Sequence, residues 1–175
     1  IAVGDVTGDG ALDLVIAFAQ SGGTQGLFTV LAGQRNGGSP TGAFAATTTT
    51  TVGAGPSAID LGDLDGDGNT DALVADRDGG AVFAFYGTGT SAPFGAPVTV
   101  RFVSAPVAAL IDAAPGLARP QVLIAAHNSG KLLRLAQTAP RTFASPVEQT
   151  IGFLPESMGL ADMTADGVED LVVVS

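Results

Sequence analysis

The sequence has no cysteine and no tryptophan, and histidine and tyrosine occur once each. Without cysteine, disulfide bonds cannot indicate the cellular compartment. The single histidine, His127, falls in the segment 127–130, whose composition is typical of a polar turn between strands. No serine has a histidine at a plausible distance for a catalytic pair, so we expect no enzymatic activity.

Basic residues are also scarce, because 7 Lys and Arg stand against 17 Asp and Glu and give a net charge of −10. A chain this acidic is poorly suited to nucleic acid and to anionic membranes. No apolar run approaches the roughly 18 residues of a membrane-spanning helix, and the longest runs, such as 14–19, are typical of buried strands. We therefore expect neither nucleic-acid binding nor membrane insertion.

The chain is rich in apolar residues and in glycine. Hydrophobic residues make up 46% and charged residues 14% of the 175 positions, which excludes disorder and allows one domain with its own core. The chain opens inside an apparent strand at Ile1 and stops inside another at Ser175. We therefore expect it to be a fragment, and the lack of a signal peptide does not indicate the cytoplasm.

An acid-rich loop followed by an apolar strand recurs along the chain, at residues 5–13, 63–71 and 162–170. Midway between the last two copies, residues 112–120 keep the pattern but retain only its first acid. Self-similarity of this kind indicates a repeat architecture. An insertion around 33–42, rich in glycine, predicts an extended surface loop. The predicted repeats cover 1–57, 58–107, 108–157 and, incompletely, 158–175.

Each complete repeat contains four short segments with the composition of strands, and no segment shows a helical period with caps. One blade of four antiparallel strands per repeat is the arrangement of a β-propeller. The sequence therefore predicts an all-β fold, a single partial β-propeller over residues 1–175 with about three and a half blades. A β-sandwich also has short strands, but it would not show one loop motif per four strands. In the second repeat the strands are predicted at 58–61, 72–75, 81–86 and 97–102.

The acidic loop of the second repeat carries carboxylates at its first, third, fifth and ninth positions. Alternate side chains point inward, and the loop offers only oxygen ligands. Six to eight oxygens at about 2.3–2.6 Å suit calcium better than magnesium. The absence of His and Cys from the loops argues against zinc, copper and iron. The candidate ligands are Asp63, Asp65, Asp67, Asp71 and the backbone carbonyl of Asn69.

The first and last loops have a threonine in place of the third-position acid. A hydroxyl is a neutral, weaker ligand, so we expect lower calcium affinity in both loops and about three calcium ions in total. Residues 112–120 retain only Asp112 at a ligand position, and one carboxylate cannot hold calcium. The candidate ligands are Asp5, Thr7, Asp9, Ala11 and Asp13 in the first loop and Asp162, Thr164, Asp166, Val168 and Asp170 in the last.

This loop pattern, D-x-D-x-D-G-x-x-D, resembles that of the FG-GAP repeat family, which is similar to the VCBS repeats of bacterial surface proteins and includes the propeller heads of integrin α subunits. The second repeat matches every fixed position, whereas Thr7 and Thr164 depart from it. The FG and GAP elements have loose counterparts at 94–97 and 53–56. The resemblance extends over essentially the whole chain. It implies a propeller with calcium on one face and a secreted or cell-surface location.

The function we expect first is an extracellular calcium-binding module for adhesion or protein–protein binding, without catalysis. The alternative is a carbohydrate-binding, lectin-like propeller or an accessory module of a secreted polysaccharide-processing enzyme, although the lack of tryptophan weakens it. The partner would be a protein or glycan at a cell surface. The rest of the propeller would come from the same longer chain or from a second copy. Turns opposite the calcium loops, with Asp76, Arg77, Asp78, His127 and Asn128, are candidates for partner contact.

Overall fold

The computed structural model describes residues 1–20 and 25–175. Within these ranges the chain is all-β, as the sequence predicts, and its strands form four antiparallel sheets that follow one another along the chain. A short 3-10 turn at His127–Ser129 lies between two strands of the third sheet. No helix in the described ranges is long and apolar enough to cross a membrane.

The first and second sheets each have four strands whose spatial order is their chain order. Each strand pairs antiparallel with the next, so both sheets are simple meanders. The first sheet consists of β1 Ala2–Gly4, β2 Asp13–Ala19, β3 Gly26–Asn36 and β4 Ser39–Thr51. The second sheet consists of β5 Pro56–Gly62, β6 Asp71–Asp76, β7 Ala81–Phe85 and β8 Val98–Phe102.

The third sheet has the same order for its first three strands, and both β12 and β13 then pair with β11. The fourth sheet is a two-stranded hairpin. The strands of the third sheet are β9 Pro106–Asp112, β10 Gln121–Ala126, β11 Lys131–Ala139, β12 Thr142–Phe143 and β13 Val147–Thr150. Those of the fourth are β14 Ser157–Ala161 and β15 Asp170–Val174.

The insertion around 33–42 is a strand hairpin, so the prediction of an extended surface loop there was wrong. The ladder of β3 and β4 continues to the pair formed by Asn36 and Ser39. The two residues between them, Gly37 and Gly38, have φ of 58° and 85°. Two-residue hairpin turns favour positive φ at both central positions because this matches the twist of the strands. The glycine pair was therefore a hairpin signal.

The second sheet packs against a neighbouring sheet on each of its faces. Every residue of β6 is buried, and its side chains alternate between two cores. Ala72 and Val74 belong to a core shared with the first sheet. Leu73 and Ala75 belong to a core shared with the third sheet. A third core, which includes Met158, joins the third and fourth sheets. The four sheets therefore pack face to face in chain order.

Successive sheets contact each other through their first strands, β1 with β5, β5 with β9 and β9 with β14. Two hydrogen bonds fix the direction of one such pair. The Ser57 hydroxyl donates to the Pro106 carbonyl at 2.9 Å, and the Ile111 N–H donates to Asp60 Oδ2 at 2.8 Å. Because position advances together on both strands, β5 and β9 run side by side in the same direction. The loops that follow their ends therefore lie at the same edge of the molecule.

Candidate metal centre

The acidic loops each join the first strand of a sheet to the second. We call residues 5–13 loop 1, 63–71 loop 2, 112–120 loop 3 and 162–170 loop 4. Each connects two paired antiparallel strands, so each closes one end of its sheet. The three acid-rich loops share one internal hydrogen-bond pattern, in which the first and ninth aspartates accept bonds from the loop backbone.

The first aspartate of each acid-rich loop folds the chain around its own carboxylate. In loop 2, Asp63 Oδ1 accepts bonds from the N–H groups of Gly66 at 2.7 Å and Asp67 at 3.1 Å, and Oδ2 accepts one from Gly68 at 2.9 Å. Gly66 and Gly68 have φ of 83° and 87°, where a side chain would be strained. Asp5 accepts from the three corresponding donors of loop 1. Asp162 accepts from two in loop 4, the N–H groups of Asp166 and Gly167.

The ninth aspartate closes the loop on itself and ties it to the sheet. Asp71 Oδ2 accepts from Leu64 N–H at 2.8 Å and Asp65 N–H at 3.2 Å, while Oδ1 accepts from Gly87 N–H at 2.7 Å, just beyond the end of β7. Asp13 makes the same three contacts in loop 1, the last of them with Gly33. In loop 4, Asp170 accepts from the N–H groups of Met163 and Thr164.

The glycines that donate to these aspartates are site residues that the sequence analysis missed. A Cβ atom at Gly87 would lie 2.4 Å from the carbonyl oxygen of Thr70, and one at Gly33 would lie 2.3 Å from that of Leu12. Only glycine allows the third strand to approach the loop this closely. Gly33 follows Asp13 by 20 positions and Gly87 follows Asp71 by 16, so neither a constant spacing nor composition distinguishes these glycines from turn residues.

Loop 2 brings three carboxylates together. Asp63, Asp65 and Asp71 each offer one oxygen, and these oxygens lie within 4.8 Å of one another; no other group of three His, Cys, Asp or Glu residues does so in the described part of the chain. Asp65 and Asp71 are buried. Three oxygen ligands of like charge, two of them shielded from water, form a cluster that could hold a hard metal cation.

The same cluster is electrostatically unfavourable without a cation. Burial, with a smaller contribution from the negative charge of Asp65, raises the pKa of the Asp71 carboxyl to about 6. The N–H donors of Gly87 and Leu64 favour the charged form and oppose this rise. A cation placed among the three carboxylates would remove the repulsion.

The fifth and seventh residues of the loops interact mainly with each other. Asp67 Oδ1 accepts from the Asn69 N–H at 2.8 Å, and its side chain is 39% exposed. The structure therefore places Asp67 beside the three-carboxylate cluster and not in it. The equivalent bonds join Asp9 to Ala11 at 2.7 Å and Asp166 to Val168 at 2.9 Å.

Loops 1 and 4 contain the same arrangement with one acid replaced. Thr7 and Thr164 stand where loop 2 has Asp65, the carboxylate that completes the cluster. The Thr7 Oγ1 atom is buried and has no hydrogen-bond partner. A buried hydroxyl without a partner is costly, and a cation bound between Asp5 and Asp13 would satisfy it. Loop 1 therefore offers two carboxylates and one unused oxygen.

In loop 3, the remaining aspartate, Asp112, is hydrogen-bonded by groups of its own loop and sheet. Asp112 Oδ2 accepts from Gln121 Nε2 at 2.6 Å, and Oδ1 accepts from Ala114 N–H at 3.0 Å. Gln121 follows the place at which the other loops have their closing aspartate, and Pro120 fills that place. A neutral amide thus takes over part of the role that the ninth aspartate has elsewhere.

A guanidinium group lies on loop 2, which the sequence analysis did not predict. Arg141 is in the turn between β11 and β12 of the third sheet. Its Nε is 2.5 Å from Asp65 Oδ2, and its Nη2 is 3.9 Å from Asp67 Oδ2. Its Cζ lies 4.1 Å from the centre of the Tyr86 ring. The third sheet thus supplies a positive charge to the acidic loop of the second.

The turns at the opposite end are more enclosed than the sequence suggested. Asp76 is buried and accepts bonds from three backbone N–H groups, so the hypothesis that it contacts a partner was wrong. His127 is partly buried, and its Nδ1 lies 2.9 Å from the carbonyl oxygen of Pro155. Arg77, Asp78 and Asn128 are exposed.

A comparison with protein families identifies part of the chain. The model of the FG-GAP-like repeat matches residues 5–74, which include loops 1 and 2 and strands β2 to β5. No curated protein matches the chain. The loop motif from which the resemblance was inferred falls at both ends of the matched segment, and the glycine and aspartate contacts described above explain why its spacing is fixed. Residues 5–74 are therefore similar to the FG-GAP-like repeat.

Proposed function

We propose that this chain is a calcium-stabilised β-propeller segment that binds a protein partner outside the cell and has no catalytic activity of its own. The observation that carries the proposal is the cluster of Asp63, Asp65 and Asp71 inside an FG-GAP-like repeat. A three-carboxylate cluster without nitrogen or sulfur ligands fits a hard divalent cation, and calcium accepts the irregular oxygen sets that loops provide.

The ligands proposed for calcium are the acids and carbonyls of loops 1, 2 and 4, with about three ions in all. In loop 2 they are Asp63, Asp65 and Asp71, with Asp67 and the Asn69 carbonyl nearby. In loop 1 the unused Thr7 hydroxyl takes the place of the third carboxylate. Bound calcium would supply positive charge that cancels the repulsion between the carboxylates. The stabilised loops would then present a fixed surface at one edge of the molecule.

The propeller is supported by the packing of the sheets. Four sheets pack face to face in series, and their first strands are neighbours, which is the relation between successive blades around a propeller axis. The free faces of the first and fourth sheets would be covered by further sheets, in the same longer chain or in a second copy. Partner contact is proposed for the exposed turn residues and loops, since the buried faces are used for packing.

Calorimetric titration tests the calcium part of the proposal. Wild type should bind about three calcium ions, and Asp63→Asn should lose the ion of loop 2 because it removes one carboxylate charge from the cluster. Asp78→Asn, which changes an exposed acid outside the loops, should bind as wild type does. If wild type shows no calcium binding at millimolar concentrations, the proposal is wrong.

A carbohydrate-binding function is the second candidate, because loop 1 borders a cavity of about 330 Å³ whose lining includes hydroxyl, amide and charged groups. These include Thr7, Gln34, Arg35, Thr47 and Ser91. A glycan array separates the two functions. Specific retention of a glycan, lost on Ser91→Ala together with Thr47→Ala, would favour the carbohydrate function over protein binding.

A further inference from the structure

Arg141 reaches loop 2 from a turn where its residue type is unfavourable. The turn between β11 and β12 has Pro140 and Arg141 at its centre, and Arg141 has a φ of 60°. Proline followed by a residue of positive φ is the pattern of a type II turn, which favours Gly or Asn at the second position. An arginine there costs conformational energy, so its contacts must offset that cost.

Those contacts use an atom that calcium would need. Asp65 Oδ1 already accepts the Asp67 N–H at 3.1 Å, and Arg141 takes Oδ2 at 2.5 Å. The Asp65 side chain is only 4% exposed, so water does not reach it to donate a hydrogen bond. The Arg141 side chain is 50% exposed and can be hydrated at little cost if it leaves. Of the two donors to Asp65, the arginine is therefore the one that can yield.

Electrostatic repulsion also favours the release of Arg141. Arg141 also lies 3.9 Å from Asp67, so it partly neutralises two of the four acids of loop 2. A guanidinium and a divalent cation that share Asp65 repel each other, and the arginine is the mobile one of the two. At the first, third, fifth and ninth positions, loops 1 and 4 carry three acids each, whereas loop 2 carries four and is the loop that this arginine contacts.

We propose that Arg141 is the resident counter-cation of loop 2 and is released from Asp65 when calcium binds. This inference rests on the proposed calcium binding of loop 2. It makes Arg141 a positioning residue that lowers the calcium affinity of loop 2 and couples its occupancy to the β11–β12 turn of the neighbouring sheet. Calcium at one repeat would thereby change the surface that the next repeat presents.

The chain contains its own reporter of this release. Tyr86 is the single tyrosine and tryptophan is absent, so near-ultraviolet emission comes from the ring on which Arg141 stacks. Tyr86 is buried, and its contact with the guanidinium is a close cation–π interaction. Departure of Arg141 should change its emission, whereas calcium in loops 1 and 4 should not.

The decisive variant is Arg141→Gly. Glycine suits the positive φ of the turn, so the fold is retained and any loss of calcium-free stability comes from the missing charge. We expect its loop 2 affinity for calcium to rise about tenfold, as expected for removal of one partly exposed like charge. Its Tyr86 emission without calcium should equal that of calcium-loaded wild type. Arg141→Lys, which keeps the charge, should restore the lower affinity, and Arg77→Ala controls for net charge at the opposite end.

The outcomes separate this inference from the proposed function. If wild type and Asp63→Asn bind the same amount of calcium, loop 2 holds no ion and the proposed function fails there. If wild type binds calcium at loop 2 but Tyr86 emission stays constant, Arg141 is not released and the inference is wrong. An Arg141→Gly variant with unchanged or weaker calcium affinity would also overturn it, since Arg141 would then be supporting Asp65 rather than competing for it.

Discussion

The N–H of Gly55 donates a 2.7 Å hydrogen bond to Asp76 Oδ1, which joins the segment between the first two sheets to the end of β6. Asp76 also accepts from Ala54 N–H at 3.0 Å and Gly79 N–H at 3.1 Å, and it is fully buried. A Cβ atom at Gly53 would lie 1.6 Å from Asp76 Oδ2. The buried Asp76 carboxylate therefore requires a glycine at position 53, whereas a Cβ atom at Gly55 would lie 2.2 Å from Asp78 Oδ2.

Replacing that carboxylate should weaken the junction between the sheets. Asp76→Ala leaves three backbone N–H groups without their acceptor, two of them in the connection between the first and second sheets. We expect the free energy of unfolding to fall by about 3 kcal/mol, since buried donors that lose a charged acceptor cost about 1–3 kcal/mol. Urea denaturation followed by circular dichroism measures the change.

Asp78→Ala is the matched control, because Asp78 lies two positions further on and is exposed. Its effect should stay within about 0.5 kcal/mol, as for most surface substitutions. Equal losses in the two variants would show that the carboxylate of Asp76 contributes no more than surface charge does.

The periodic features of this chain could be predicted from sequence because each depends on neighbours along the chain. The strands of the second repeat, expected at 58–61 and 72–75, are found at Pro56–Gly62 and Asp71–Asp76. Alternating carboxylates with glycines between them determine a loop that folds around its own first aspartate. The prediction for residues 33–42 was wrong for a local reason. Their glycine pair was interpreted as evidence for a loop, whereas it forms the turn of a hairpin.

The remaining features depend on contacts between distant residues. Arg141 meets Asp65 across 76 positions, and no periodicity relates the two. Aspartate is a common turn residue, so the sequence does not reveal that Asp76 is buried. Its burial arises only when the first and second sheets pack together. Asp67 fits the loop motif as well as Asp65 does, but the fold directs it toward the Asn69 N–H and away from the cluster.

Loop 1 should become a stronger calcium site when its missing carboxylate is supplied. Thr7→Asp places an acid where loop 2 has Asp65, at a half-buried position whose hydroxyl oxygen is buried and has no partner. We expect calcium affinity at loop 1 to rise about tenfold, because a charged oxygen replaces a neutral one. We also expect calcium-free stability to fall through added repulsion with Asp5 and Asp13. Calorimetry and thermal melting in chelator measure the two effects.

Ala114→Asp in loop 3 is the control for this gain. It supplies the same third-position acid, but Pro120 stands at the closing position and Gln121 Nε2 occupies Asp112 Oδ2. The number of bound calcium ions should not change. A new ion at loop 3 would show that two adjacent carboxylates suffice, and the argument from the three-carboxylate cluster would fail.

The contribution of Asp60 to stability should decrease as pH rises, whereas that of an ion-paired surface acid decreases as pH falls. Burial raises the pKa of its carboxyl, although N–H donors from Ile111 and Leu61 favour the charged form. A raised folded-state pKa contributes stability that is complete below about pH 4 and is lost as pH rises through the raised value. Asp60→Asn cannot ionise and keeps an acceptor for Ile111. Relative to wild type, it should gain stability between pH 3.5 and pH 7, measured by urea denaturation in chelator.

Glu148→Gln provides the comparison of opposite sign. The Lys131 side chain, 2.6 Å from Glu148 Oε2, lowers the pKa of the Glu148 carboxyl. That stability is present above the unfolded-state pKa and is lost as pH falls through the lowered value. The glutamine variant should therefore lose stability relative to wild type as pH rises over the same interval. Parallel trends for the two variants would contradict the assignment of burial as the dominant effect at Asp60.

The outer face of the first sheet is apolar and uncovered. Val15 and Phe28 point into the core shared with the second sheet, so their neighbours Leu14, Ile16 and Phe18 face outward together with Val3. Val3 is 56% and Phe18 41% exposed, and on the fourth sheet Val172 and Val174 are exposed as well. Contiguous apolar surface of this kind is typical of a face that another sheet covers.

Isolated chains should therefore associate or bind hydrophobic dyes through these faces. In Ile16→Thr with Phe18→Thr, we expect lower binding of an anilinonaphthalene dye and a shift toward monomer in light scattering. Folding should be retained, because both side chains point away from the core. Val15→Thr, one position away on the inner face, should instead lower the melting temperature, since it buries a hydroxyl without a partner. A wild-type chain that is monomeric at high concentration and binds no dye would show that the outer faces need no cover, and the proposal of further sheets against them would be abandoned.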